Sequence, residues 1–153
     1  MTNLELETIP AKLGIDAAWT EQGGVHWLEP GKVSVRELAK AMNGSQARFV
    51  TITAYQLPKD EGLRLEYHWD LGGKLLGFGY KLEGSSIESI YDLCEAVDWI
   101  EREIHEGFAI EFTGREYEPL LLRRGDTPGV NLREGCALAS PFAAAQGTEE
   151  VKQ

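Results

Sequence analysis

A chain of 153 residues carries one domain around a single core, and 42% hydrophobic with 26% charged residues is the ordinary composition of a soluble globular protein. A formal charge of −10 argues against a nucleic-acid partner and disfavours adsorption to anionic lipid. No apolar run approaches the ~20 residues that cross a bilayer, and the opening MTNLELETIPAKL has no signal-peptide pattern. Cys94 and Cys136 are too few for a disulfide framework or a protein-only zinc site. The expectation is a cytoplasmic protein that meets a membrane only through a partner.

Residues 3–13 suit a short helix. Residues 15–28, IDAAWTEQGGVHWL, read as a hairpin turning at Gly23-Gly24. After the break at Pro30-Gly31, Ser34 with Glu37 three positions on forms a capping box for a helix over 33–43, whose apolar side is Val35, Leu38, Ala39 and Met42. Three strands follow at 48–57, 63–71 and 74–82, separated by turns at Pro58–Gly62 and Gly72-Gly73. In LRLEYHWDL, Leu63, Leu65, Tyr67 and Trp69 alternate with Arg64, Glu66, His68 and Asp70, the pattern of a half-buried antiparallel strand. The fold class expected is α+β: a mainly antiparallel sheet with helices packed on one face.

From Ser85 a long helical region is predicted to reach Glu106, with Leu93, Val97, Ile100 and Ile104 as its apolar seam and Gly107 as its C′ residue. Phe108 to Phe112 reads as a short extended segment ended by Gly114. Residues 1–125 form the domain, and 126–153, rich in small residues, Gly and Pro, form a tail that is flexible or ordered on a partner.

The charge is concentrated. Residues 91–118 hold nine acids and two bases, −7 of the total −10. Such a stretch is a solvated face, an acid/base site or a docking surface. A zincin helix needs a second His after His105-Glu106, and a di-iron helix needs Glu where Arg102 stands. A glycosidase pair needs a second carboxylate across a cleft, and there is no Gly-x-Ser-x-Gly elbow or phosphate loop. Cys94 reads as a small core residue. No metal, cofactor or catalytic set is therefore expected. Trp99 among the acids is the aromatic-with-charged-rim composition of an interface. For Arg102, an internal ion pair with Asp98 or Glu106 is an alternative that needs no partner.

The run Asp98-Trp99-Ile100-Glu101-Arg102-Glu103, followed by Glu106, Phe108, Ile110, Phe112 and Gly114, resembles the signature of the thirty-kilodalton subunit family of respiratory complex I, the NADH:quinone oxidoreductase. Three positions depart from the family pattern: Glu106 replaces Asp, Ala109 replaces Gly, and Gly114-Arg115-Glu116 replaces Gly-His-Pro. The long C-terminal extension of complex I members has no counterpart in these residues. The departures resemble the related small subunits of energy-converting membrane-bound [NiFe]-hydrogenases, including formate hydrogenlyase.

The resemblance implies a structural subunit without a redox centre, peripheral to the inner membrane in the hydrophilic arm of an oxidoreductase. It would brace a complex I or [NiFe]-hydrogenase-like large subunit near an iron–sulfur small subunit. Trp99, Glu101, Arg102, Glu103, Glu106, Phe108 and Gly114 are the candidate interface residues, for docking or for orienting the loop at 107–116. The competing expectations are a freestanding acidic enzyme using Glu103 or Glu106 as general base, and an unrelated acidic binding module.

Overall fold

The computed structural model of the protein describes residues 3–123 and 125–129. The alternation of residues 63–71 organises it. Leu63, Leu65, Tyr67, Trp69 and Leu71 are all buried, at most 5% exposed, on one face of a strand (β4, Leu63–Leu71) at the centre of the fold. Each such side chain contributes about 1.5–3 kcal/mol by leaving water. β4 pairs antiparallel with Arg48–Gln56 (β3) on one side and with Lys74–Lys81 (β5) on the other.

The hairpin Thr20–Gln22 (β1) and Val25–Leu28 (β2) turns at Gly23 and Gly24, whose φ angles of 62° and 78° suit the tight connection the sequence predicts. β2 then joins β5 in parallel, so the sheet is five-stranded with order β1-β2-β5-β4-β3 and a single parallel pair. The mainly antiparallel expectation holds with that addition.

Two helices, Asn3–Leu13 (α1) and Val35–Gly44 (α2), touch each other and join the core cluster. α2 begins as its sequence dictates: Ser34 Oγ accepts from Glu37 N and the Glu37 carboxylate accepts from Ser34 N. Its buried residues are Val35, Leu38, Ala39 and Met42. The helices cover the face lined by Leu76 and Phe78 of β5 and the apolar side of β4. On the other face, Gly77 lies under the Trp27 ring and Gly79 under the Arg64 guanidinium, so a Cβ at either position would collide with those side chains.

The long helix predicted over 85–106 is corrected. Ser86–Glu88 is a strand (β6) paired in parallel with Glu111–Thr113 (β7). Residues 89–94 turn, Glu95–Val97 form a 3-10 turn, and the helix proper is Asp98–Phe108 (α3). Pairing with a segment 25 residues away in Ser86↔Glu111 overrides the local helical pattern. Leu93 is consequently not on the helix. Val97 and Ile104 are buried and Ile100 half-buried. Cys94 is half-buried just before the 3-10 turn, and burial pushes its thiol up; Cys136 lies outside the described residues. Gly107 stays inside α3, and the left-handed residue that ends the helix is Ala109, φ 55°. Of the tail expected from residue 126, residues 126–129 fold back: Gly129 is buried and its N–H donates to Glu106 O at 2.8 Å. Residues 130–153 lie outside the described residues.

Candidate functional site

α3 places acids on several sides, and what each meets decides its role. Glu106 is 3% exposed. One of its oxygens accepts from Tyr117 Oη at 2.6 Å and Leu120 N at 2.5 Å, the other from Leu121 N at 2.7 Å and Leu122 N at 3.0 Å. Burial pushes the carboxyl up, but the Tyr117 hydroxyl and the backbone N–H groups of Leu120, Leu121 and Leu122 pull harder and hold it below the usual carboxylate range. Burial and the same bond push the Tyr117 phenol up to about 12. A carboxylate accepts about four hydrogen bonds. Glu106 has all of them, so no lone pair remains to take a substrate's proton.

Glu101, 1% exposed, reaches back to the turn after β6. It accepts from Ser89 Oγ at 2.6 Å, Ile90 N at 3.0 Å and Arg115 Nη1 at 3.1 Å. Arg115 also pairs with Asp98 and lies 4.6 Å over the Tyr91 ring. Arg102 donates to Asp98 at 3.2 Å, one turn below, and to the carbonyls of Glu118 and Pro119 at 2.9 and 2.8 Å. Asp98 therefore holds two guanidiniums. The Arg115 bond, against burial and with help from Arg102, keeps its carboxyl below the usual range. Of the i,i+4 pairs readable in the sequence, Asp98–Arg102 forms, whereas Glu101 and Glu106 take their partners from the turn and the loop.

These bonds fasten two segments onto one helix: the turn at 89–91 through Glu101, and the loop 115–122 through Asp98, Arg102 and Glu106. A recess of about 490 Å³ opens between α3 and the loop, lined by His105, Phe112, Arg115 and Tyr117 among others. His105 Nδ1 sits 2.8 Å from Ile110 O, and its ring leans on Tyr117 at 4.2 Å. Of the titratable groups around the recess, Glu101, Arg102, Arg115 and Tyr117 are already engaged in the bonds described above. Among the described residues no group of three or more His, Cys, Asp or Glu could hold a metal ion, and no helix is long and apolar enough to cross a membrane.

The seven candidate residues thus separate. Glu101, Arg102 and Glu106 point into the fold and orient the loop. Phe108 is half-buried against the core, and Gly114, φ 87°, turns the chain after β7. Trp99, 69% exposed, and Glu103 face outward. Glu103 stands at the rim of a shallow groove of about 230 Å³ with no titratable side chain beside it there. Asp98, Ser89, Arg115 and Tyr117 belong to the network although none of them is among the seven. Arg115 is visible in the sequence only as a departure from the Gly-His-Pro ending.

The profile described as "respiratory-chain NADH dehydrogenase, 30 Kd subunit" matches residues 31–141. The chain belongs to this family. The match takes in α2, the β3–β5 meander, α3 and the loop that Glu106 holds. Among solved structures, a trypsin-resistant fragment of Nqo5 is similar at 20% identity and TM-score 0.57, over 76% of this chain and 98% of the fragment. A chain of the membrane-bound sulfane sulfur reductase, an archaeal respiratory membrane complex, is similar at 16% identity and TM-score 0.71, over 99% of this chain and 95% of that one. Both likenesses are of fold. No curated protein sequence matches the chain. In 30 Kd subunit terms, the family motif is an inward-facing clamp here: its Glu101, Arg102 and Glu106 hold loop and turn, and its Trp99 is left outside.

Proposed function

We propose that this member of the 30 Kd subunit family is a non-catalytic structural subunit in the hydrophilic arm of a membrane-associated oxidoreductase. It braces a large subunit beside an iron–sulfur small subunit, in the [NiFe]-hydrogenase-like branch. Its place is on the cytoplasmic side of the membrane, which it reaches through its partners. The observation that carries the reading is the exposure of Trp99. A large aromatic at 69% exposure, on a helix whose Glu101, Arg102 and Glu106 are consumed internally, is an anchor for a partner surface. The saturated acceptors of Glu106 support a holding role over a general-base role. The branch assignment draws support from the fold likeness to the archaeal respiratory complex, which extends over nearly the whole chain.

The test is recovery of the tagged full chain from its source membranes in mild detergent. A [NiFe]-hydrogenase-like large subunit and an iron–sulfur subunit should come with it. Trp99→Ala should lower that recovery by about tenfold, the usual cost of removing an interface aromatic, and leave the melting temperature of the isolated chain unchanged. A monodisperse monomer with turnover of its own would sink the proposal.

A further inference from the structure

β3 is the edge of the five-stranded sheet, paired only with β4 among the described strands. Sheet edges in soluble proteins are blunted by charge, proline or a covering segment, because a free ladder of N–H and C=O groups recruits any extended chain. In composition β3 is poorly blunted, and α3 packs beside it without pairing with its ladder. Its sequence RFVTITAYQ has one charge, at the first residue, no proline, and a run of β-branched and aromatic residues. A register shift between Phe49 and Thr51 is the one irregularity, and it leaves Thr51 to Gln56 in regular pairing.

The groove beside this edge is lined by four consecutive β3 residues, Thr51, Ile52, Thr53 and Ala54. Consecutive residues point to opposite faces of a strand, so the groove follows the strand's edge rather than either face. Its other wall is α3, with Ile100, Ile104 and Phe108 apolar and Glu103 at the exposed rim. An edge strand beside a helix with an apolar floor is the arrangement in which an extended peptide adds a strand. Main-chain bonds then supply affinity and alternate side chains enter the groove.

We infer that β3 is an acceptor edge: an extended segment of a partner protein adds to it as a further strand. One aliphatic side chain of that segment sits between Ile52 and Ile104, and a Lys or Arg pairs with Glu103. A second copy of this chain fits less well, because each copy carries a net charge of −10 and would bring acid to acid. The inference concerns a surface separate from Trp99 and does not depend on which complex the chain serves.

The experiment places a photo-crosslinking amino acid by Thr53→p-benzoylphenylalanine in the full chain, expressed in its source cells, with Lys40→p-benzoylphenylalanine on α2 as the control. Thr53 is exposed, so the fold tolerates the change. The expected result is a cross-link at position 53 and none at 40, mapped by mass spectrometry to an extended segment that contains a Lys or Arg. Its yield should fall about fivefold when Glu103→Lys is added, the scale of one rim charge reversed. A cross-link to a second copy of the chain, to a segment without Lys or Arg, or to nothing would overturn the inference. If the mapped segment belongs to a polypeptide unrelated to oxidoreductases, the acceptor edge stands and the proposed function falls. If the chain is recovered with a large subunit but position 53 stays free, the reverse holds.

Discussion

At Ala109 the backbone takes φ 55°, ψ 35°, with its N–H donating to His105 O at 2.9 Å. This is the left-handed cap that glycine adopts without cost and that an L-residue enters at about 1–2 kcal/mol. It is also the position where the family pattern has Gly. Ala109→Gly should therefore stabilise the chain. Part of the gain returns as unfolded-chain entropy, leaving about 0.5–1 kcal/mol, readable as a higher urea midpoint at unchanged slope. A lower midpoint would show that the cap carries no strain.

The strands and α2 were legible because their residues choose partners by local rule: period two in β4, a capping box at Ser34, a Gly-Gly turn in the β1–β2 hairpin. The region from Ser85 to Leu122 was not, because there the partners are distant. Ser86–Glu88 looks helical until Glu111–Thr113 lies beside it. The acids of α3 look like a solvated face until the loop returns to offer Arg115, Tyr117 and three backbone N–H groups. Only the resemblance to the family motif marked these residues as related, and it did not say that they face inward.

The fastening of loop 115–122 to α3 should depend on pH. Asp98 and Glu106 both have folded-state pKa values below the ordinary carboxylate range. Their stabilisation is thus fully present above that range and is lost as pH falls through the depressed folded values. Acidification below about pH 4 should free the loop, seen as faster amide exchange at Leu120, Leu121 and Leu122 before the β3–β5 strands open. Glu106→Gln should release the same amides at neutral pH. It exchanges an acceptor for an NH₂ group that faces other donors, at a cost of about 2–3 kcal/mol. It should also flatten the acid transition. Protection of these amides that persists in the variant would mean the loop is held by something other than Glu106.

For the whole molecule, a formal net charge of −10 and a sparsely charged sheet edge act against each other. Far from its isoelectric point the chain is kept apart from its copies by repulsion, and β3 remains open for a segment of opposite charge. Near the isoelectric point, about 4.8, that repulsion vanishes. The loop stays fastened there, because Asp98 and Glu106 have carboxyls held below the ordinary range. Folded chains should then associate through β3, giving light scattering that peaks near pH 4.8 and reverses on return to pH 7 with native amide protection retained. Thr53→Lys places a charge on the edge and should suppress the peak. Ala11→Lys adds the same charge on the exposed side of α1 and should leave it nearly unchanged. Equal suppression by both would assign the association to net charge alone and remove β3 as its seat. Suppression by the edge substitution alone would show that charge is what reserves this strand for its partner.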